Sequence, residues 1–339
     1  MGGPASSADG AAPIRLSAQG SVAFATGSAP LAPDVVQEIS GLAEEFAFDF
    51  AMYEWRFGAA LGLTDRISLD ASVPLRLTTT KARYRDSQGR TVSGLPADDL
   101  HPEERTESGF GDASVDLRSL LLSAGGAWVS ATAGVTLPLG TTAPDPWLEA
   151  DSYTGTVRRS FFGTGTFDPR LGLDSGVGFG GVDLTLWGRA TASLYENRWG
   201  YRAGERLAGG LVVDPAGALG LDRLRLTATS TVRHGGQATW SGRPALNSGR
   251  TDVLVGLGAA WSLGAGWSVD VQAQRPVLTR VEGGQVDWPV ILSVGGYFEG
   301  AASDAGSAQQ DERSATDTPG AAMSDTTQGP PSAAAAIRP

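Results

Sequence analysis

The sequence has 339 residues, a formal net charge of −11 and no cysteine. Disulfides and thiolate metal sites are therefore excluded, and nucleic-acid binding is disfavoured because it needs a basic face. Charged residues make up only 19% of the chain, below the roughly 25% of soluble domains, and no apolar run approaches the roughly 18 residues that a transmembrane helix needs.

Alternation of apolar and polar side chains recurs along the chain and predicts β-strands, because successive side chains in a strand point to opposite faces. The segment RLRLTATSTVR, residues 223–233, is the clearest example, with arginines and threonines on one face. In chain order, strands are predicted over residues 14–24, 67–78, 112–120, 128–137, 168–179, 182–195 and 267–274 as well, with weaker patterns near 44–62, 204–217, 249–262 and 286–298.

The predicted connections alternate between short and long. Short turns are predicted at residues 64–66, 124–126, 180–181, 218–222 and 264–266, and long polar loops near 27–43, 80–108, 139–165, 196–203, 234–248 and 279–286. An outer-membrane barrel has this layout, with short periplasmic turns and longer external loops. We therefore expect an all-β protein: a transmembrane, up-and-down antiparallel β-barrel of about twelve strands in the bacterial outer membrane, with both termini periplasmic.

Two terminal segments fall outside the strand pattern. Residues 1–13 consist mostly of small residues without the apolar core of a signal peptide. Residues 299–339 form an acidic segment rich in Ala, Ser and Pro with almost no bulky apolar side chain. Such segments bury too little surface to offset their ordering entropy. The expected organisation is a disordered leader over 1–13, a barrel over 14–298 and a disordered tail over 299–339.

The orientation of the two strand faces follows from the surroundings. In a membrane barrel the apolar face meets lipid and the polar face lines the lumen. The predicted lumen residues are Glu54, Arg56, Asp70, Asp116, Arg118, Arg170, Asp174, Asp183, Arg189, Arg225, Asp270, Gln272 and Gln274. Aromatic residues gather at membrane interfaces, and those with the apolar-face position near strand ends are Phe179, Trp261, Trp267, Trp288 and Phe298.

The stretch SGFGDASVDLRSLLL, followed by a hairpin and AGVTLPLGTTAPDP, resembles the outer-membrane barrels of the MetA-pathway of phenol degradation, or putative transporter, family. The matching motif residues are Gly109, Gly111, Asp112, Pro138 and Gly140. Residues 53–75, which contain GLTDR, resemble the early hairpin of that family, and the likeness extends over roughly residues 45–298. The resemblance implies a transporter barrel with small organic or hydrophobic cargo.

Candidate catalytic and metal-binding residues are few. The two histidines, His101 and His234, fall in predicted external loops, where we expect them to be solvated. The acidic cluster Asp98, Asp99, Glu103 and Glu104 lacks the fixed spacing of a calcium loop. We expect no enzyme activity, no cofactor and no metal.

Three functions stay open at this stage. The first is a passive outer-membrane transporter or channel for small molecules, and the second is a plugged barrel with a structural or surface-binding role. The third is a soluble β-barrel. The predicted lumen charges are nearly balanced, which is compatible either with a polar pore or with ion pairs that hold the barrel shut. The expected partners are outer-membrane lipid and the barrel-assembly machinery, with unknown small-molecule cargo and no nucleic acid.

Overall fold

The computed structural model describes residues 14–30, 45–92, 104–142, 162–221, 223–245, 248–281, 285–287 and 291–300. Within these ranges no helix is long and apolar enough to cross a membrane. The strands are β1 (Ile14–Pro30), β2 (Glu45–Thr64), β3 (Ile67–Arg85), β4 (Thr91–Val92), β5 (Glu104–Phe110), β6 (Ala113–Ala124), β7 (Ala127–Leu137), β8 (Pro169–Phe179), β9 (Val182–Thr191), β10 (Tyr201–Arg202), β11 (Arg206–Asp214), β12 (Leu224–Gly235), β13 (Thr239–Trp240), β14 (Arg243–Pro244), β15 (Arg250–Gly264), β16 (Trp267–Val281), β17 (Gln285–Asp287) and β18 (Ile291–Gly300).

Twelve antiparallel strands close into a barrel. Starting from β1, neighbours follow in the order β1, β2, β3, β6, β7, β8, β9, β11, β12, β15, β16 and β18, and β18 pairs with β1. Strands β5 and β6 pair with successive parts of β3 and together occupy one position in the barrel wall. The prediction of an up-and-down barrel of about twelve strands is confirmed.

The two ends of the barrel differ in their connections. One end carries tight turns, including Gly125–Gly126 and Gly180–Gly181, whose positive φ values only glycine adopts easily. Residue Ile14 at the start of β1 pairs with Gly300 at the end of β18, so both described chain ends lie at this end of the barrel. By analogy with outer-membrane barrels, it is the periplasmic end.

Several strands extend further than the alternation predicted. Strand β3 continues to Arg85 and β5 begins at Glu104, so both enter the predicted loop 80–108. Strand β12 continues to Gly235 and thus places His234 in a strand, where it pairs with Thr251. The loop position predicted for His234 is therefore wrong. The strands continue beyond the lipid-contacting part of the barrel, where the outward side chains no longer need to be apolar. The alternation therefore ends before the backbone pairing does, and the predicted strands are too short.

The outer surface of the barrel is apolar. Large side chains such as Leu173, Leu186 and Leu257 are exposed, with 71% of Leu257 accessible. In β12 the outward residues include Leu226 and Val232, while Thr231 and Arg233 on the opposite face are buried. This arrangement suits lipid outside and polar groups within, and it disfavours the soluble-barrel alternative, in which these leucines would form a core.

A small three-stranded sheet of β10, β13 and β14 is separate from the barrel sheet and lies at the end with the long connections. Tyr201 and Trp240 form its core, with ring centroids 4.8 Å apart, and Ala238 packs against them. Burial raises the pKa of Tyr201 to about 12, so its hydroxyl stays protonated.

We predict that Leu226→Arg impairs the barrel more than Thr227→Arg. Position 226 faces outward, where arginine near mid-membrane costs about 2–4 kcal/mol, whereas position 227 faces a lumen that already holds arginines. Folding yield into lipid vesicles measures the difference. Equal losses for the two variants would mean that the faces of β12 are assigned wrongly.

Candidate functional site

The candidate site is the lumen. The predicted lumen residues all lie on the strand face opposite the exposed apolar side chains, and this inward set comprises Glu54, Arg56, Asp70, Asp116, Arg118, Arg170, Asp174, Asp183, Arg189, Arg225, Asp270, Gln272 and Gln274. Most of the charged members form ion pairs. These pairs determine how much of the lumen the charged side chains occupy.

The pairs run along the wall rather than across the lumen. Glu54 lies directly opposite Arg76 on the neighbouring strand, and their side chains approach to 2.6 Å. Arg56, two residues further along β2, binds the other oxygen of Glu54 at 3.0 Å. Other pairs between neighbouring strands are Arg118 with Asp70 at 3.4 Å, Arg189 with Asp174 at 2.8 Å, and Arg225 with Asp214.

Inward glycines provide the space for this arrangement. Asp116, Gly134 and Arg170 lie in one row across β6, β7 and β8. Because Gly134 has no side chain, Asp116 reaches over it to Arg170, with the two charged groups 3.5 Å apart. A Cβ at Gly134 would clash with the Asp116 carboxylate.

Inward glycines also provide space for two tryptophans in the lumen. The indole of Trp128 lies over Gly176, and the indole of Trp187 lies over Gly210, where a Cβ would come within 2.9 Å of the ring nitrogen. Neither tryptophan was among the predicted site residues. Their polar-face positions in the alternation of β7 and β9 could have identified them.

The wall formed by β12, β15 and β16 is mostly uncharged. Gln272 donates a hydrogen bond to Thr229 at 3.3 Å across β15, and Gln274 lies over Gly256 in the same region. Asp270 lies over Gly295 beside the ring of Tyr297, and Asp183 is exposed near the short-turn end of β9. Gln272, Gln274 and Thr229 thus give the middle of this wall uncharged hydrogen-bonding groups between the charged residues at its two ends.

Burial divides the lumen along its length. Near the periplasmic end the inward charges are partly accessible, with 40% of the Arg118 side chain and 27% of the Asp70 side chain exposed. Further out, inward side chains on every side are buried, even long ones. They include Glu54, Arg76, Thr231, Leu254, Gln274 and Ile291. The described lumen thus has partly accessible charges near the periplasmic end and buried side chains around its outer part.

The family-motif residues converge where the barrel wall is irregular. Gly111 and Asp112 separate β5 from β6, and Asp112 faces Pro138-Leu139-Gly140 and the segment 162–168, which we call the strap. Gly109 and Gly140 have no room for a side chain, since a Cβ would come within 2.7 Å of Thr141 Oγ1 and within 2.5 Å of Gly163 Cα, respectively.

A second buried carboxylate lies at the end of the strap. Asp168 is fully buried and accepts hydrogen bonds from Thr166 at 2.6 Å and from Ser193 at 2.8 Å. Arg206 approaches it to 3.6 Å. Asp168, Arg206 and Arg76 were not among the predicted site residues, although Arg76 and Arg206 have inward positions in β3 and β11 and Asp168 directly precedes β8.

Four of the five predicted girdle aromatics lie at the periplasmic end, where Phe179, Trp261 and Trp267 are exposed and Trp267 packs on Phe298 with ring centroids 4.8 Å apart. The fifth, Trp288, lies outside the described residues. So do His101 and three members of the acidic cluster, Asp98, Asp99 and Glu103. The other histidine, His234, contacts the Thr251 hydroxyl through Nδ1 at 2.9 Å.

No protein-family model and no curated protein matches the sequence. The structure is similar to that of an outer-membrane channel from Pseudomonas putida F1, with 15% identity, a TM-score of 0.56 and coverage of 86% of this chain and 97% of that chain. Weaker similarities are to the TodX deltaS2S3 mutant monoaromatic hydrocarbon channel (12% identity, 86% and 91% coverage, TM-score 0.44) and to a Pseudomonas aeruginosa FadL homologue (11% identity, 84% and 90% coverage, TM-score 0.41).

The protein is an outer-membrane β-barrel. Its closed twelve-stranded sheet, its apolar outer surface and the shared fold of the Pseudomonas putida channel agree on this point. The predicted localisation in the outer membrane is confirmed.

We predict that Arg189→Ala destabilises the barrel by about 3 kcal/mol, because it leaves the carboxylate of Asp174, which is fully buried, without its cation. Arg90→Ala is the matched control, since Arg90 pairs with Asp86 in an exposed turn and such pairs contribute about 0–1 kcal/mol. Urea unfolding from lipid vesicles measures both. An Arg189 variant as stable as the control would contradict the wall-pair assignment.

Proposed function

We propose that the protein is a passive outer-membrane channel for small molecules. The proposal rests on one observation: the ion pairs of the lumen lie along the wall. Asp116 and Arg170, for example, pair over Gly134. Pairs that crossed the lumen would block it, whereas pairs folded against the wall leave its axis free. The partly exposed charges near the periplasmic end support a solvated path there.

The charge balance of the lumen supports weak ion selectivity. Most wall pairs join one acid to one arginine, as in Asp70 with Arg118 and Asp174 with Arg189, whereas Glu54 binds two arginines. Paired charges create little net field along a pore, so the path favours neither cations nor anions strongly. We infer that uncharged or weakly charged molecules are the cargo.

Two features support small organic cargo with an apolar face. The lumen-side indoles of Trp128 and Trp187 offer flat apolar surface beside hydrogen-bonding groups. The motif around Asp112 and Gly140 resembles that of the MetA-pathway barrels, a resemblance that implies hydrophobic or aromatic molecules. Outer-membrane lipid and the barrel-assembly machinery are the partners that this proposal includes, and no catalytic role is assigned.

A plugged barrel with a structural or surface-binding role is the second candidate. It is favoured by the burial of the outer lumen, where Glu54, Thr231 and Leu254 are each only 1% exposed. The two candidates differ in whether this outer part ever opens.

We predict small, weakly selective current steps in planar lipid bilayers. Under a tenfold KCl gradient the reversal potential should stay close to zero, because the lumen charges are paired. Arg189→Ala should shift the reversal potential towards cation preference, since it leaves Asp174 uncompensated. Heat-unfolded protein added to the same bilayers is the control.

The absence of steps at every voltage, together with the absence of small-molecule flux into vesicles, would contradict the channel proposal and favour the plugged barrel. Strong selectivity in the unaltered protein would instead contradict the charge-balance argument.

A further inference from the structure

The barrel wall has a local defect whose cause lies in β3. The carbonyl of Pro74 accepts a hydrogen bond from Gly111 at 2.8 Å, so this edge of Pro74 faces the β5–β6 strand line. The N–H and C=O groups of a strand residue point to the same side, and proline has no N–H to donate there. The strand line is interrupted at this level, where Gly111 and Asp112 belong to neither β5 nor β6.

Beside this interruption the Asp112 carboxylate accepts hydrogen bonds from two segments that belong to no barrel strand. One oxygen accepts the Gly140 N–H at 3.0 Å, and the other accepts the Thr164 N–H at 2.6 Å and the Thr164 hydroxyl at 2.8 Å. We call these three hydrogen bonds the Asp112 latch. Hydrogen bonds to a charged acceptor are about twice as strong as neutral ones. Next to the latch, the Phe162 and Gly163 N–H groups donate to the Thr141 carbonyl at 3.0 and 3.1 Å, so the latch holds Thr164 while backbone pairs hold the beginning of the strap.

Arg76 holds the beginning of the strap. Its guanidinium donates to the Phe162 carbonyl at 3.2 Å while it pairs with Glu54 at 2.6 Å. The Phe162 carbonyl lies close to Gly111, where a Cβ would approach it to 3.1 Å. The wall defect, the latch and the Arg76–Glu54 pair therefore form one contact region.

The strap fills the outer lumen on this side. Phe162, Thr164, Thr166 and Asp168 are all buried, and Asn197 donates from its side chain to the Thr164 carbonyl at 2.8 Å. Asn197 also accepts the Tyr201 N–H at 3.1 Å, which ties the strap to the small outer sheet. The strap thus lies at the level where the lumen passes from partly exposed to buried.

We propose that Asp112 is a positioning residue that holds the strap over the outer lumen, so that release of the latch opens the channel. The inference rests on the proposed channel function and identifies its gate. The middle of the strap, from Thr164 to Phe167, is suited to movement because side-chain hydrogen bonds, which can break one at a time, hold it, whereas backbone pairs with Thr141 and Thr136 hold its two ends. Gly163 and Gly165 lie within it, and glycine allows the backbone to change conformation at little steric cost.

A double cysteine variant tests the proposal in one molecule. The native chain has no cysteine, so Asp112→Cys with Thr164→Cys introduces the only thiols, at positions whose side-chain oxygens lie 2.8 Å apart. Under reducing conditions the latch is absent, and we expect the open probability in planar bilayers to rise about tenfold, which corresponds to about 1.4 kcal/mol. Oxidation should form a disulfide and return the open probability to the native level or below.

Thr79→Cys with Thr106→Cys is the matched control. These residues are cross-strand neighbours on β3 and β5 with hydroxyls 3.4 Å apart, and they take no part in the latch. The current of this variant should not depend on the redox state. Thr164→Val provides a milder change that keeps the side-chain shape and removes one of the three donors, and it should raise the open probability by a smaller factor.

The outcomes separate the gate from the channel. Native current with no redox response in the Asp112/Thr164 variant, although mass spectrometry shows the disulfide, would overturn the latch and leave the channel function standing. Failure of the two cysteines to cross-link in folded protein, or a Thr164→Val variant with native open probability, would also overturn the latch. Silence of every form would overturn the channel function together with its gate.

Discussion

The need to pair every backbone polar group inside a bilayer is the constraint on which the rest of the structure depends. Lipid offers no hydrogen bonds, so a spanning sheet has to close on itself, and β1 accordingly pairs with both β2 and β18. Closure assigns one face of every strand to lipid and the other to the lumen. The wall is irregular where Pro74 cannot donate, and beside this interruption the carboxylate of Asp112 accepts the backbone N–H groups of Gly140 and Thr164.

The interior of a twelve-stranded barrel is too wide for ordinary side chains to fill it. It is also narrow enough that charged side chains on its wall interact electrostatically. In this protein glycine resolves the conflict. Gly134 separates Asp116 from Arg170, and Gly172 lies beneath Arg189, so long side chains lie flat and reach partners on neighbouring strands. The charges are neutralised at the wall, where they stabilise the sheet, and the central volume is left to whatever passes through it.

The difference between the two ends of the lumen links structure to function. The periplasmic part retains accessible charges, while in the outer part the side chains of the strap and inward residues such as Leu254 are buried. A barrel wall is rigid because its hydrogen bonds are continuous. Movement is therefore expected where side chains replace that ladder, and in the described wall the Asp112 region is such a place.

The sequence by itself determined the faces and the number of strands. Alternation with period two depends only on which side of a strand meets lipid, so RLRLTATSTVR and similar segments carried this information locally. Turn lengths supplied the order of the strands. The sequence also placed Asp112, Pro138 and Gly140 in a motif, but it assigned them no role.

Only the tertiary structure decided which charges pair and where the lumen closes. Asp116 and Arg170 belong to strands that are not neighbours, and Asp112 meets Thr164 from 52 positions away. Such contacts depend on register and on the glycine between the partners, and neither is encoded in the period of a single strand. The alternation identifies the inward residues, which include Arg76, Trp128 and Trp187. It does not show which of them form ion pairs or contact the strap. The physical reason is that the alternation depends on whether each face of a strand contacts lipid or the lumen, whereas a gate depends on distances between strands.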